Sequence, residues 1–306
     1  MEKLLRNWNI GRIECIEPVG SPGGRSVLVQ TVDGRRFYLK EKTDRLKAER
    51  EYCLLFNLSK LGAPVAVPIC NKYDSWCAVE AGRIYCLYPR LAGEIISEHY
   101  GGNASTRAGR FGRAIAFLHT RLLQCEHVHR FPGLHLLDHI REWALPRLRR
   151  NVDILDADRL ERTWTGEEKE MSAIYPDLPV QLIHRDAHPG NMLFEGDRLS
   201  GWVDFDQVVR GPRLFDPCYC GTSLLVGGFS DETKRRAWPK LFHGLIKGYE
   251  SINPLRPAEL KSIHGTLIAI ELLFAAFSLE NGDEQAARQN EAVVYWLEEN
   301  RAELEF

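Results

Sequence analysis

The segment from His184 to Asp206 contains residue types that could transfer a phosphoryl group. Asp186 lies in a loop, Asn191 follows five residues later, and Asp204 lies in a second loop, each beside an apolar, strand-like run. A carboxylate such as Asp186 can accept the proton of an attacking hydroxyl while it stays ionised near neutral pH. The oxygens of Asn191 and Asp204 suit Mg²⁺ shared with nucleotide phosphates. The spacing therefore predicts phosphoryl transfer, with Asp186 as the catalytic residue and Asn191 and Asp204 as metal ligands.

The same segment allows two other interpretations. Asp and Asn are ordinary turn residues, but turn formation alone does not account for their coincidence at these separations. His184, Asp186 and His188 alternate and could be ligands of a hydrolytic metal centre. However, Pro189-Gly190 ends any strand at once, and no clear further histidine ligand follows. We expect His184 and His188 to brace the loop instead.

A lysine and a glutamate nearer the N-terminus are candidate phosphate-binding residues. Lys40 ends the predicted strand that begins at Arg36, and its ammonium is expected to pair with the α- and β-phosphates of a nucleotide. A lysine at a strand end is common, so this prediction depends on the later motif. Glu51 lies on the helix predicted next, with Leu55 and Leu58 behind it. Its carboxylate is therefore expected to face inward and hold Lys40 in place.

Two further segments are expected to contact the nucleotide through their backbone. Gly20, Gly23 and Gly24 lie between the first two predicted strands, where glycines let N–H groups approach phosphates closely. Their pattern, G-x-x-G-G, is not specific, and a plain hairpin turn is the alternative. Tyr88 and Leu91 belong to a predicted hinge whose backbone would meet the adenine ring.

The elements that must position these residues change in kind along the chain. The first part favours a sheet interrupted by one helix, because β-branched and aromatic runs alternate with Gly and Asp turns. The predicted strands are 10–19, 26–32, 36–40, 76–80 and 84–88. The predicted helix begins at Thr43 or Asp44 and ends before Gly62.

Beyond residue 93 helical patterns dominate. Apolar residues at 111, 115, 118 and 122 mark one amphipathic helix, and further helical blocks are 214–226, 231–249, 258–279 and 283–299. The predicted fold class is therefore α+β. Residues 1–88 form a small antiparallel sheet lobe with one helix that binds nucleotide, 89–93 form a hinge, and 94–306 form a larger, mainly α-helical lobe that binds the acceptor.

Composition excludes several classes of protein. The 306 residues are 44% hydrophobic and 27% charged, as in a globular protein, and the net charge of −2 argues against a nucleic-acid partner. No signal peptide and no membrane span are expected, so the predicted location is cytoplasmic. The eight cysteines lack the spacing of a disulfide scaffold or a zinc finger and are expected to be reduced thiols.

The chain resembles the aminoglycoside phosphotransferase and choline kinase superfamily, small-molecule kinases of the protein-kinase-like bilobal fold. The segment 184–191 reads H-R-D-A-H-P-G-N and 203–206 reads V-D-F-D, where relatives show H-G-D-x-H-x-x-N and I-D-F or I-D-W. Lys40, Glu51 and Asp216 fall where the family has its phosphate lysine, partner glutamate and structural aspartate. The resemblance implies ATP or GTP as co-substrate, Mg²⁺, and phosphorylation of a hydroxyl on a small molecule.

Two residues depart from that pattern. Arg185 replaces the usual glycine, and Asp206 stands where protein kinases have the glycine of D-F-G. No Ala-Pro-Glu follows, and the stretch from Asp204 to Asp216 is too short for a phosphorylated activation segment. A protein kinase is therefore the second choice, and a nucleotide-binding scaffold without turnover stays open.

The sequence leaves the acceptor undecided among an amino sugar, an aminoglycoside, homoserine and a choline-like molecule. Helices after Asp216 would form its pocket. Acidic side chains there would suit an amine, and aromatic ones would suit a quaternary ammonium, although such residues more often form surface charge and core packing. The candidates are Glu271, Glu280, Asp283, Glu284, Trp238, Tyr249, Phe274 and Phe277.

Overall fold

The computed structural model describes residues 1–19 and 26–306. The chain divides into two compact units: Met1–Glu94 with Leu193–Asp206, and Ile95–Met192 with Gln207–Phe306. The division differs from the predicted one in residues 193–206, which the prediction assigned to the second lobe. The predicted glycines Gly20, Gly23 and Gly24 lie outside the described residues.

The first unit is built on a five-stranded antiparallel sheet. Its strands are β1 (Ile13–Val19), β2 (Ser26–Thr31), β3 (Arg36–Lys42), β4 (Ala78–Glu80) and β5 (Arg83–Pro89), in the spatial order β1-β2-β3-β5-β4. Gly34, with φ +81°, makes the predicted turn between β2 and β3, a conformation that glycine adopts at no steric cost. The short strand β6 (Glu94–Ile95) follows β5 in the chain.

One face of this sheet is apolar and the other carries charge. The short helix α1 (Glu2–Leu5) contributes Leu4 and Leu5 to a core that includes Phe37 and Leu39 of β3. Because side chains alternate along a strand, Lys40 and Lys42 share the opposite face. The helix α2 (Arg45–Lys60) begins at its N-cap Asp44, whose carboxylate accepts a hydrogen bond from the backbone N–H of Lys47.

The second unit is mainly helical. Its α-helices are α3 (Ala104–Leu122), α4 (Leu136–His139), α5 (Leu145–Arg149), α6 (Ala157–Ile174), α7 (Phe215–Gly228), α8 (Glu232–Glu250), α9 (Pro257–Glu280) and α10 (Glu284–Glu299), with a π-helical turn at Ile140–Ala144. A two-stranded antiparallel ladder joins β7 (Val180–Ile183) to β10 (Val209–Pro212), with Ile183 opposite Val209. Two hairpin strands, β8 (Met192–Glu195) and β9 (Arg198–Trp202), lie between β7 and β10 in the chain. Apart from Met192, they belong to the first unit.

The helix α9 is the core of the second unit. It is long and apolar enough to cross a membrane by length and composition, but 83% of its most apolar window is buried inside the protein. A helix that is apolar on all sides and surrounded by others is the expected centre of a helical core. Packing therefore accounts for its composition.

Glycines bring α3 close to α8. A Cβ atom on Gly112 would lie 1.9 Å from the carbonyl oxygen of Leu245, and one on Gly248 would lie 2.2 Å from that of Gly109. The backbones of α3 and α8 therefore approach closely where Gly109 faces Gly248 and where Gly112 faces the carbonyl of Leu245. This packing fixes α3, which carries His119 toward the loop after β7.

Candidate active site

The charged face of the first unit holds a cluster of two lysines and three carboxylates, which we call the lysine cluster: Lys40, Lys42, Glu51, Asp204 and Asp206. Lys40 Nζ lies 3.2 Å from Asp204 Oδ1. Lys42 Nζ lies 2.6 Å from Glu51 Oε2 and 2.5 Å from Asp206 Oδ1. The prediction that Glu51 holds Lys40 is therefore wrong in this structure, because Glu51 pairs with Lys42.

The error has a simple cause in the length of β3. The strand continues two residues beyond its predicted end at Lys40, so Lys42 shares a face with Lys40. The phenolic O–H of Tyr88 donates to Glu51 Oε1 at 3.0 Å and fixes the other side of that carboxylate. Tyr88 was expected to meet the nucleotide through its backbone; its side chain has a separate role, the hydrogen bond to Glu51. Leu91 lies just after β5, and its side chain packs close to Gly201.

Burial and charge divide the two carboxylates that share Lys42. Burial raises the pKa of Glu51 to about 7, although the Lys42 ammonium opposes the shift. Burial also disfavours the charged form of Asp206, but attraction to Lys42 outweighs it and lowers that pKa to about 2. For Lys42, burial opposes the charge and the two carboxylates outweigh it, which raises its pKa. Lys42 is thus a cation held by an ionised Asp206 and a more easily protonated Glu51.

A cavity of about 240 Å³ lies beside the lysine cluster, lined by all five of its members together with Ser26, Glu41, Thr43, Asp44, Lys47 and Ala48. Three lysines and five carboxyl groups line this space, so a polyphosphate that binds there needs a metal cation beside the carboxylates as well as the lysines. Lys40 is the more accessible lysine of the cluster, with 25% of its side chain exposed against 9% for Lys42.

In the second unit, the carboxylate of Asp186 is held from two sides. Tyr219 donates its O–H to Asp186 Oδ1 at 2.9 Å, and Asn191 donates its Nδ2–H to Asp186 Oδ2 at 3.0 Å. The same Asn191 amide nitrogen also donates to the backbone carbonyl of Asp186 at 2.8 Å. These bonds fix both the loop and the direction of the carboxylate. Tyr219 was not predicted, since a tyrosine within an apolar helical run gives no functional signal.

The loop after β7 is anchored on a buried carboxylate. Asp216, at the start of α7, accepts hydrogen bonds from the backbone N–H groups of His184 and Arg185, at 2.7 and 2.8 Å. The imidazole of His119 lies 2.8 Å from the same carboxylate. His188 Nδ1 accepts from the N–H of Gly190 at 3.0 Å and closes the turn before Asn191. Asp216, His184 and His188 thus lie where a bracing role requires them.

Two residues of the motif have left-handed backbones. Arg185 and Asp204 both have φ +65°, which non-glycine residues adopt rarely. Such conformations persist where the surroundings impose them, and they concentrate at active sites. The hydrogen bond from the backbone N–H of Arg185 to Asp216 accompanies this conformation at Arg185.

A second cavity, of about 510 Å³, borders Asp186, and we call it the acceptor cavity. It is lined by His139, Trp143, Arg185, Asp186, Gln207, Phe215, Tyr219, Leu273, Phe274, Phe277 and Glu280. Of the acidic and aromatic residues predicted as acceptor contacts, Glu280, Phe274 and Phe277 line it. Trp238, Tyr249 and Glu271 are buried in the core, and Asp283 is the N-cap of α10, next to Glu284.

Hard oxygen atoms for a metal are present in both parts of the motif. The amide of Asn191 uses its nitrogen to donate, so its carbonyl oxygen has no hydrogen-bond donor among residues 1–19 and 26–306. Asp204 contributes one carboxylate oxygen to Lys40, and its side chain is 44% exposed. Oxygens of this type are the ligands that Mg²⁺ prefers. No group of three or more His, Cys, Asp and Glu side chains in the described part of the chain has the arrangement of a metal site.

The fold is that of small-molecule kinases. An aminoglycoside phosphotransferase from Alicyclobacillus acidocaldarius superposes with a TM-score of 0.75 at 13% identity, covering 99% of this chain and 95% of that one. A microcompartment-associated aminopropanol kinase superposes with a TM-score of 0.72 at 14% identity, covering 99% and 97%. At these identities the likeness concerns the fold, and it confirms the predicted protein-kinase-like class.

Sequence similarity extends the comparison to function. A homoserine kinase from Brucella melitensis is 34% identical over 275 residues, covering 85% of this chain and 77% of the relative. With the fold, this similarity defines a small-molecule phosphotransferase with a hydroxyl acceptor. The model of the phosphotransferase enzyme family, APH, matches residues 17–260. The chain belongs to that family, as the motif around Asp186 predicted.

Proposed function

We propose that the enzyme transfers the γ-phosphoryl group of ATP or GTP to the hydroxyl of a small amino-bearing acceptor, with homoserine as the first candidate. The observation that carries the proposal is Asp186, whose carboxylate is held by two donors at the wall of the acceptor cavity. Homoserine is favoured because the relatives at 34% identity are named homoserine kinases. The cavity, at about 510 Å³, falls within the usual range for small-molecule sites.

In the proposed reaction the acceptor oxygen forms a bond to the γ-phosphorus as the bond from that phosphorus to the β,γ-bridging oxygen breaks. The hydroxyl proton passes to Asp186, and the electron pair of the broken bond leaves with the nucleoside diphosphate. Tyr219 and Asn191 are neutral donors that each occupy only part of the lone-pair capacity of Asp186. They aim the carboxylate while leaving it able to accept the proton.

We assign the phosphates to the lysine cluster of the first unit. Lys40 is the proposed phosphate ligand, since it is the more accessible lysine and has a single ion-pair partner within residues 1–19 and 26–306. Lys42, with Glu51 and Asp206, is the proposed support that keeps the charged face of β3 in place. The hinge at Tyr88 and Leu91 stays the predicted base-binding segment.

We propose Asn191 and Asp204 as the protein ligands of Mg²⁺. The fit rests on oxygen chemistry, since each side chain has an oxygen without a hydrogen-bond donor in the described structure. When bound, the metal supplies positive charge beside the nucleotide phosphates. The proposal requires Lys40 to exchange Asp204 for phosphate when the metal binds, since Lys40 Nζ lies 3.2 Å from Asp204 Oδ1.

The test is turnover by the purified protein with ATP or GTP, Mg²⁺ and a panel of homoserine, 3-amino-1-propanol, choline and an aminoglycoside. Diphosphate release is followed by a coupled assay, and the phosphorylated product is identified by ³¹P NMR. We expect Asp186→Asn to lower kcat by about 10²–10⁴-fold. Diphosphate release without a phosphorylated acceptor, or a kcat in Asp186→Asn equal to that of the wild type, contradicts the proposal.

A further inference from the structure

We infer that Arg185 binds an anionic group of the acceptor, a carboxylate, so that the substrate is a hydroxylated acid rather than a polycationic aminoglycoside or choline. The inference rests on the proposed function and narrows its substrate class. It assigns a role to the residue that stands where relatives have glycine. Four observations support it.

The first observation is the state of the Arg185 side chain. It is partly buried and lines the acceptor cavity beside Asp186. Its backbone N–H bonds to Asp216, but none of the hydrogen bonds or ion pairs in the described structure involves its guanidinium. Burial lowers its pKa, with no carboxylate to oppose the shift. A guanidinium has five N–H donors, and none of those of Arg185 has a protein partner among the described residues.

The second observation is how the protein treats another arginine of the same unit. Arg213 is buried more deeply than Arg185, and its guanidinium donates to both carboxylate oxygens of Glu259 at 2.8 and 2.7 Å and to the carbonyl of Pro254 at 2.7 Å. A fork-to-fork pair of this kind is the preferred environment of a buried guanidinium. The guanidinium of Arg185 has no carboxylate partner of this kind among the described residues. An acceptor carboxylate would supply the missing half of the pair.

The third observation is the backbone at position 185. Its φ of +65° suits glycine, whereas a residue with a Cβ atom pays about 1–2 kcal/mol to adopt it. The arginine therefore combines an unfavourable backbone conformation with a guanidinium that has no ion-pair partner among the described residues. Residues of this kind concentrate at functional sites, where a ligand relieves part of the cost.

The fourth observation is the rest of the cavity wall. The rings of Tyr219 and Phe274 stack with centroids 5.3 Å apart, and Phe277 meets Phe274 edge to face. Glu280 adds a carboxylate to this wall, although it also pairs with Arg147 at 3.1 Å. Aromatic faces and a carboxylate suit an ammonium. The cavity thus offers a cation, an anionic and aromatic wall, and Asp186, which match the carboxylate, ammonium and hydroxyl of a hydroxy amino acid.

The test compares two acceptors that differ by one group. L-Homoserine and 3-amino-1-propanol have the same hydroxyl and amine, and only the first has a carboxylate. We expect the wild type to favour homoserine in kcat/KM. In Arg185→Gly and Arg185→Asn that preference should fall by about 10–100-fold, the worth of a charge-assisted pair at 1.4 kcal/mol per decade. Arg185→Lys, which keeps the charge but not the fork, should lie between.

Folding does not obscure this test. Glycine and asparagine both tolerate a left-handed backbone, so both variants should melt at or above the wild-type temperature. The matched control is Arg236→Ala, which removes an equal charge from a side chain that is 80% exposed on α8. It should leave the preference between the two acceptors unchanged.

A binding measurement separates this inference from the proposed function. Homoserine is titrated calorimetrically into wild type and Arg185→Asn, each with Mg²⁺ and a non-hydrolysable ATP analogue. Weaker binding in the variant, by about tenfold or more, supports the inference even if no acceptor is phosphorylated, in which case only the proposed function fails. Equal affinity in the two proteins, or no binding of homoserine by the wild type, overturns the inference whatever the turnover.

Discussion

The two units differ in how they pair a cation that lines a cavity. In the first, Lys42 has 9% of its side chain exposed and is paired with Glu51 and Asp206 within 2.6 Å. In the second, Arg185 lines a larger cavity with its guanidinium unpaired among the residues described. A charge whose partners are all protein groups contributes to a fixed structure, because its desolvation is compensated at all times. A charge that has no ion-pair partner in the protein can instead pair with a ligand of opposite charge.

The same contrast separates the two lysines of β3. Lys42 forms a closed network with Glu51 and Asp206, whereas Lys40 has one ion-pair partner in the described part of the chain, Asp204, whose side chain is 44% exposed. The two lysines occupy different positions along β3. Lys42 is its last residue and lies opposite Ile84 of β5, while Lys40 lies opposite Cys86. We therefore expect the closed network to support the site and Lys40 to exchange its carboxylate partner for phosphate.

Replacement of Lys42 tests the closed network most severely. Lys42→Met should lower the free energy of unfolding by about 3 kcal/mol, at the low end of the range for a broken buried pair, because Asp206 keeps some access to water. Lys40→Met is the matched control. It should cost no more than about 1 kcal/mol, as for a partly exposed pair, while raising KM for ATP. Urea unfolding at neutral pH measures both.

A double variant shows whether the cost comes from stranded charge. Lys42→Met with Glu51→Gln removes one of the two carboxylates left without a cation, so it should recover part of the stability lost in Lys42→Met. If the two single variants lose equal stability, or if the double variant recovers none, the closed network is not what distinguishes Lys42 from Lys40.

Glu271 allows the same comparison to be made between two buried glutamates, one with a cation partner and one without. Like Glu51 it is a buried glutamate, but it has no cation to oppose the effect of burial, which raises its pKa to about 8. One of its carboxyl oxygens has no hydrogen-bond partner within the described residues. A carboxyl whose folded pKa is raised contributes stability that is complete below its unfolded pKa of 4.5 and is lost as the pH rises through the folded value.

Glu271→Gln should therefore gain stability relative to the wild type as the pH rises from 6 to 8, by about 2–3 kcal/mol at 1.36 kcal/mol per pH unit. Urea midpoints at the two pH values measure the difference, and groups common to both proteins cancel. Glu161→Gln is the control, since Glu161 is a partly exposed glutamate that pairs with Arg149 and has a lowered pKa. A difference that stays constant from pH 6 to 8 would show that Glu271 does not ionise in this range.

Much of the fold follows from local signals. The Asp-Gly turn between β2 and β3, the Asp44 cap of α2 and the apolar faces of α3 and α8 predicted elements that the structure contains. The helix α6 was missed, although Leu160, Trp164 and Met171 are buried at helical spacing and Asp156 caps its first turn. Its many charged residues and its glycine conceal that spacing, so the helix depends on contacts that a local pattern does not include.

The site was predictable where a motif fixes short-range geometry, and less so where distant residues meet. Asp186 and Asn191 are five residues apart and make direct contact. The partner of Glu51 depended on where β3 ends, which the polar run after Lys40, Glu41-Lys42-Thr43-Asp44, did not decide. Tyr219 reaches Asp186 from α7, 33 residues on, and its role is visible only once the helix is placed.

Tyr219 offers the finest test of how the second unit prepares its carboxylate. Burial raises the pKa of Tyr219, so its O–H remains a donor to Asp186. Tyr219→Phe removes that bond and keeps the ring that stacks on Phe274, so kcat should fall by about tenfold, with water replacing part of the bond at a carboxylate that is 27% exposed. The KM for ATP should not change, because Tyr219 belongs to the acceptor cavity.

The control for Tyr219→Phe is Tyr295→Phe, which removes an equivalent bond, from a phenol to Glu291 at 2.9 Å, on α10. It should leave kcat unaltered. If Tyr219→Phe retains wild-type kcat, then Asn191 alone suffices to orient Asp186, and the acceptor cavity is less preorganised than the lysine cluster. A fall in kcat accompanied by an equal rise in the KM for homoserine would mean instead that the phenol contacts the acceptor, which would place Tyr219 among the substrate-binding residues.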